Sequence, residues 1–175
     1  MQTQPIAQDA ADEAVTVLYR AHALRLTRLA YVMLGDRGLA EDIVQEAFVG
    51  LHRRRGRLSD TSKAVFYLRS SVLSSCRAVL RRAPAARALT LIDIGEGPLT
   101  VVSSAEAAAL SAEGRALLSA IRRLPARQRE ALVLRFCLDE PEAEIARLMR
   151  TRPGTVRSTT YRALAALSRL LEEQP

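Results

Sequence analysis

The sequence predicts an all-α protein of two small helical domains joined by a flexible linker. Three observations carry that expectation. Leu, Ala and Arg, all strong helix formers, dominate the chain. Apolar residues recur at spacings of three and four, and no stretch alternates apolar and polar residues as a half-buried strand would. Residues 84–110 lose that periodicity and carry two prolines and two glycines, which reads as a linker between domains at 10–83 and 111–173. A length of 175 residues suits one or two compact domains, and 49% hydrophobic residues supply a core.

Val15, Leu18, Tyr19, His22, Leu26, Leu29, Ala30 and Met33 mark one face of a long first helix, which Gly35-Asp36-Arg37-Gly38 interrupts. A second helix buries Ala40, Ile43, Val44, Ala47, Phe48 and Leu51. After a basic loop over Arg53–Ser62, a third buries Val65, Leu68, Val72, Cys76 and Val79. Beyond the linker, Leu117, Leu118, Ile121 and Leu124 form a helix that Pro125 stops, and Arg127–Leu138 gives the next. Glu142–Met149 reads as a short helix and Arg150–Arg152 as a turn. Pro153 then opens a long final helix, at a position where its missing N–H is not needed. The chain ends just after that helix, so no further C-terminal domain is expected.

Charge divides the chain into surfaces with different partners. Net charge is +7, almost all of the positive charge from arginine, since Lys63 is the only lysine. Residues 1–50 carry four basic and seven acidic groups, whereas residues 51–83 carry nine and one. That basic density is the footprint expected for a phosphate backbone; a merely solvated basic face is the blander reading. Cys76 and Cys137 stand far apart with no metal-ligand spacing, so both are expected to be buried free thiols in a reducing compartment, with no disulfide and no metal. The polar, acidic N-terminus is unlike a secretion signal, and no apolar run reaches membrane-spanning length. The expectation is a cytoplasmic protein.

Nothing in the sequence points to an enzyme or a cofactor. His22 and His52 have no nucleophile or metal set near them, and His22 lies on an apolar stripe where a packed histidine is the common outcome. There is no GxxxxGK or GxGxxG, and Gly95-Glu96-Gly97 is too little to cradle a phosphate.

EAEIARLMRTRPGTVRSTTYRALAALSRLL has the pattern of a helix-turn-helix. Ile145, Ala146 and Met149 face inward from the first helix and Val156, Thr160, Leu164, Leu167 and Leu171 from the second, with small Ala146 allowing a close crossing. Thr155, Arg157, Ser158, Thr159, Tyr161 and Arg162 are left outward, with Arg152 in the turn; such residues read base edges and phosphates in a major groove. An ordinary helical hairpin with a polar face would share this pattern.

Residues 117–171, with the runs LPARQREALVLRF and EAEIA…PGTV, resemble domain 4 of the extracytoplasmic-function sigma factors of RNA polymerase. Residues 18–54, with AEDIVQEAF, and residues 67–82, YLRSSVLSSCRAVLRR, resemble domain 2 of the same family. The resemblance implies that domain 2 binds the core polymerase and recognises and melts the −10 element, and that domain 4 recognises the −35 element. It places core polymerase contacts on Asp42, Gln45, Glu46 and Val49, against a coiled coil of the largest subunits, β and β′. Arg53, Arg54, Arg55, Lys63, Ser70, Ser74, Arg77 and Arg81 would handle the opened strand, whose flipped base the family captures in the loop here at Leu58–Ser62. An anti-sigma protein is the expected regulator. Two positions depart from the family's pattern: Pro141 stands where a capping Ser is frequent, leaving Glu140 or a proline at the first helical position to serve, and Ser74 stands where Asn is frequent. Other readings are a helix-turn-helix regulator with a sensor domain, and a degenerate sigma relative acting only by protein interaction.

Overall fold

The computed structural model describes residues 5–54 (side chains from residue 12), 60–82 and 111–173. The linker over 84–110, Arg55, and Leu58 and Ser59 of the Leu58–Ser62 loop lie outside those residues. Among the described residues there are helices and no strand.

Helix α1 spans Pro5–Leu34, 30 residues or about 45 Å at 1.5 Å per residue. Gly35 ends it with φ +75 and returns its amide to the Tyr31 carbonyl at 2.7 Å. A Cβ here would sit 3.2 Å from Cδ of Arg122. The left-handed backbone favours glycine here, and the Arg122 side chain would have to yield slightly to any Cβ. Gly35→Ala is expected to lower unfolding free energy by about 1–2 kcal/mol, the cost of a side chain in the left-handed region, measurable by urea melts.

Helix α2 spans Arg37–Arg53, capped by Asp36, whose Oδ1 accepts the Leu39 amide at 2.9 Å. The interruption is therefore Gly35-Asp36 alone, and Arg37 and Gly38 belong to the first turn. The buried residues of α2 are the six that the periodicity gives. Helix α3 spans Thr61–Arg82, and its buried set is Ala64, Leu68, Val72, Leu73 and Cys76. Val65 and Val79 are only half-buried. Leu73 extends the buried arc beyond the stripe expected of a helix covered on one side.

The C-terminal unit also packs on α3. Helix α4 spans Ala112–Arg123 with Ser111 as N-cap, and α5 spans Ala126–Leu132 and continues into a π-helical turn over Val133–Cys137. Helices α6 (Glu142–Met149) and α7 (Pro153–Glu172) complete it. One apolar core runs without a break from Leu26, Leu29 and Met33 of α1, through Leu68 and Val72 of α3, to Leu134, Leu138, Ile145 and Met149. The two units are docked on one another, not held apart by the linker.

The π turn also corrects the expectation of two buried thiols. Cys76 is fully buried, but Cys137 is exposed. One extra residue in the turn, closed by the Leu138 amide on the Val133 carbonyl at 3.3 Å, rotates Arg135, Phe136 and Cys137 outward and turns Leu138 in.

Candidate nucleic-acid interface

The helix-turn-helix is α6, a turn and α7. Arg150 ends α6 in the left-handed region at φ 52, and the amides of Arg150 and Thr151 return to the carbonyls of Arg147 and Ala146. Pro141 is the N-cap of α6 and makes no side-chain cap; Glu142 and Glu144 in the first turn complement the helix dipole. Glu140 caps nothing there, because its carboxylate pairs with Arg69 of α3 at 2.6 Å.

Arg152 at the N-cap of α7 and Thr155, Arg157, Ser158, Tyr161 and Arg162 on the helix are all exposed, Tyr161 at 75%. Thr159 is not: it is 8% exposed and belongs to the inward face with Val156 and Ala163. Leu164, expected inward, is 44% exposed. The helix turns its small residue, Ala163, to the contact where Leu124 and Leu132 pack, because a small side chain permits a closer helix crossing than Leu would. Arg157 lies 3.3 Å from Glu142 of α6, an ion pair across the turn. Ser158 Oγ donates to the Thr155 carbonyl and Arg162 Nε to that of Ser158.

In the N-terminal unit, Asp42, Gln45, Glu46 and Val49 form one exposed strip along α2, Val49 at 43%. Tyr19 of α1, expected inward, is 52% exposed and meets the Phe48 ring edge-on. Arg53 and Arg54 are exposed at the end of α2. The Arg54 guanidinium lies 5.3 Å from the Tyr67 ring centroid and donates to Tyr67 Oη at 2.7 Å. Gly50 makes room for this, since a Cβ there would lie 2.6 Å from that oxygen.

Helix α3 divides its polar residues between two sides. Lys63, Ser74 and Arg81 are exposed, and Ser70 is half-buried. Arg77 points instead at the C-terminal unit, where Nε donates to Glu130 Oε2 at 3.2 Å, Nη2 donates to Oε1 of the same carboxylate, and Nη2 also donates to the Leu148 carbonyl at 2.9 Å. Glu130 is 1% exposed. Sequence reasoning missed Tyr67, Arg69 and Glu130 and gave Glu140 only as a cap; the two ion pairs were hidden because their partners lie far along the chain, Arg69 and Glu140 71 residues apart and Arg77 and Glu130 53. Buried Arg129 is a further docking contact, donating to carbonyls of Met33, Arg122 and Leu124 and so binding the C-terminal ends of α1 and α4.

His22 of α1 is half-buried at this junction, in a small cavity lined also by Arg25, Leu68, Arg69 and Leu138. Burial, then the positive charges of Arg69 and Arg25, push its pKa below the ordinary 6.5. The folded chain thus resists protonation that the unfolded chain accepts, so this group costs stability as pH falls through 6.5. Thermal melts at pH 7.5 and 6.0 are expected to show a larger loss for the wild type than for His22→Gln. Glu140, pushed upward mainly by burial, opposes this only at lower pH, nearer the carboxylate range.

The chain matches the sigma-70 region 2 family over residues 18–84 and the sigma-70 region 4 family over residues 114–167. It is 32% identical over 154 residues to the ECF RNA polymerase sigma factor SigM of Mycobacterium tuberculosis, covering 88% of this chain and 75% of that one. With the RNA polymerase sigma factor CarQ of Myxococcus xanthus it shares 29% identity over 166 residues, covering 95% and 94%. Its fold resembles RpoE of Bartonella quintana, solved with the anti-sigma factor NepR, at a TM-score of 0.65 and 20% identity over 96% of this chain and 99% of that one. CnrH, solved with the cytosolic domain of CnrY, gives the same score and identity over 96% and 98%. With both regions present in order, and a relative this similar over most of its length, the chain belongs to the extracytoplasmic-function sigma factors of the sigma-70 family, subunits that direct core RNA polymerase to promoters.

Proposed function

We propose that the three exposed faces divide promoter initiation among them, in domains at 10–83 and 111–173 joined by 84–110. The observation that carries this reading is their chemical contrast: an acidic–apolar strip on α2, and arginine-bearing faces on α3 and at the start of α7. Asp42, Gln45, Glu46 and Val49 dock on the core polymerase, where a like-charged pair at i,i+4 favours a basic partner helix. Arg53, Arg54, Lys63, Ser70, Ser74 and Arg81, with Arg55 and Arg77, hold the opened −10 strand. Arginines track phosphate, and Tyr67 beside Arg54 offers an aromatic face to an unstacked base. Arg152, Thr155, Arg157, Ser158, Tyr161 and Arg162 read the −35 duplex; Thr159 supports the helix from beneath.

Opening is driven by binding energy, so the chain is not an enzyme and uses no cofactor. The workplace is the cytoplasm, in keeping with the finding that no described helix is long and apolar enough to cross a membrane. An anti-sigma factor is the expected regulator, as the solved complex of RpoE with the anti-sigma factor NepR illustrates.

Run-off transcription with purified core polymerase tests the reading. The wild type is expected to give discrete promoter-initiated transcripts, and Arg157→Ala to relax −35 discrimination by about 10-fold, the scale of one base-reading side chain. Absence of transcripts on genomic promoter fragments would leave only an interaction protein; unchanged discrimination would remove Arg157 from the groove.

A further inference from the structure

We propose that Glu142 of α6 is a positioning residue for base reading, holding the Arg157 guanidinium so that its free edge meets a guanine in the −35 duplex. The inference rests on the reading of α7 as the duplex-reading helix. Its support is the way the carboxylate occupies the guanidinium. Arg157 Nε donates to Glu142 Oε2 at 3.3 Å, and Nη2 donates to Oε2 at 3.3 Å and to Oε1 at 3.4 Å. The carboxylate thus takes one edge of the planar fork, and Nη1 has no hydrogen-bond partner among the described residues. The edge left open, Nη1 with the outer side of Nη2, is a donor pair that fits O6 and N7 of guanine.

Four arginines stand exposed around the turn and the start of α7: Arg150, Arg152, Arg157 and Arg162. Among the described residues, Arg157 is the one of the four that pairs with a carboxylate. A guanidinium without such a partner is drawn to the nearest phosphate, since the backbone dominates the attraction of a duplex and carries no sequence information. Glu142 opposes that capture at Arg157. It satisfies the edge a phosphate would take, and its own charge repels the backbone. The arginines are thereby sorted, three for the backbone and one for a base edge.

The carboxylate is anchored for this task. Glu142 opens α6 immediately after its N-cap, where the helix dipole favours a negative charge, and buried Ile145 and Ala146 fix that helix on the core. The Glu142 side chain is 32% exposed and that of Arg157 79%, so the shorter, better-packed partner holds the longer one. The pair is not what closes the helix-turn-helix. Arg150 in the left-handed region, the Thr151 amide on the Ala146 carbonyl at 2.9 Å, and buried Met149 and Val156 do that. An exposed ion pair adds little stability. A carboxylate on a face that meets DNA weakens binding to every duplex, and the ordering of a base reader offsets that loss.

Holoenzyme reconstituted from core polymerase and the full chain tests this. The probe is a promoter fragment that it transcribes, randomised across the −35 element, with the bound DNA sequenced. Arg157→Ala is expected to lower a guanine preference at one position about tenfold. Glu142→Gln is expected to lower the preference at that same position about threefold, the scale of an exposed ion pair, and to leave the other positions unchanged. Its affinity for a scrambled duplex rises, and the salt dependence of that binding steepens toward that of one further phosphate contact. Glu142→Asp, which keeps the carboxylate, restores most of the preference. In the Arg157→Ala background, Glu142→Gln adds nothing at that position. If Glu142→Gln leaves the preference intact while Arg157→Ala lowers it, positioning is overturned and the groove assignment stands. A fall spread evenly over all positions also overturns it, since a purely structural role gives that result. If Arg157→Ala changes no position, the groove assignment fails and takes the proposal with it.

Discussion

Leu134→Ala is expected to cost about 3 kcal/mol, within the range for deleting a buried leucine that cannot be refilled. Leu134 is fully buried in the π turn of the C-terminal unit, and its backbone carbonyl accepts the Glu140 amide at 3.1 Å. The π turn packs against α1, so the cavity opens in a core that both units share. The melting temperature is expected to drop by roughly 6–12 °C for a chain of this size. Because the core is continuous, guanidinium unfolding should remain a single transition with an unchanged slope. Two resolved transitions, the earlier one alone moved by the substitution, would show that the units fold independently and that the shared core contributes little.

Asp42→Lys with Glu46→Lys is expected to weaken binding to core polymerase on the order of a hundredfold, since juxtaposed like charges at an interface cost several kcal/mol. Both side chains are exposed on one strip of α2 and neither makes an ion pair among the described residues, so reversal should leave folding untouched. The control is Arg37→Ala. Arg37 pairs with Glu41 on the same helix, and its loss should not disturb polymerase binding. Retained affinity in the double variant, by native gel or analytical ultracentrifugation, would move the docking surface off α2. Arg77 is a poorer probe of DNA contact than the sequence implies, because its removal also frees Glu130; Arg81 reports strand binding without that second effect.

The residues of α2 show how much of this fold is local. Six apolar positions at helical spacing, an Asp cap before them and a glycine behind the previous helix define the element and its buried face together. Amphipathic spacing is strong evidence when one side of a helix meets a core and the other meets water. The same logic weakens on α7. Its spacing points Leu164 inward, and packing against Leu124 and Leu132 selects Ala163 instead, with Thr159 buried one turn earlier. At Cys137 the failure has another cause: a π turn adds one residue, and periodicity counted at 3.6 places the thiol on the wrong side.

By itself the sequence determined the helical class, most helix boundaries, the helix-turn-helix and the exposed arginine-rich start of α7, because each follows from spacing, caps and charge within about twenty residues. Only the tertiary structure decided that the two units share a core and that Arg69 and Arg77 face Glu140 and Glu130. Those partners are separated by more than fifty residues, and no local propensity encodes which arginine meets which carboxylate. Pairing at that range is set by how whole helices pack, which side-chain periodicity constrains in direction but not in partner.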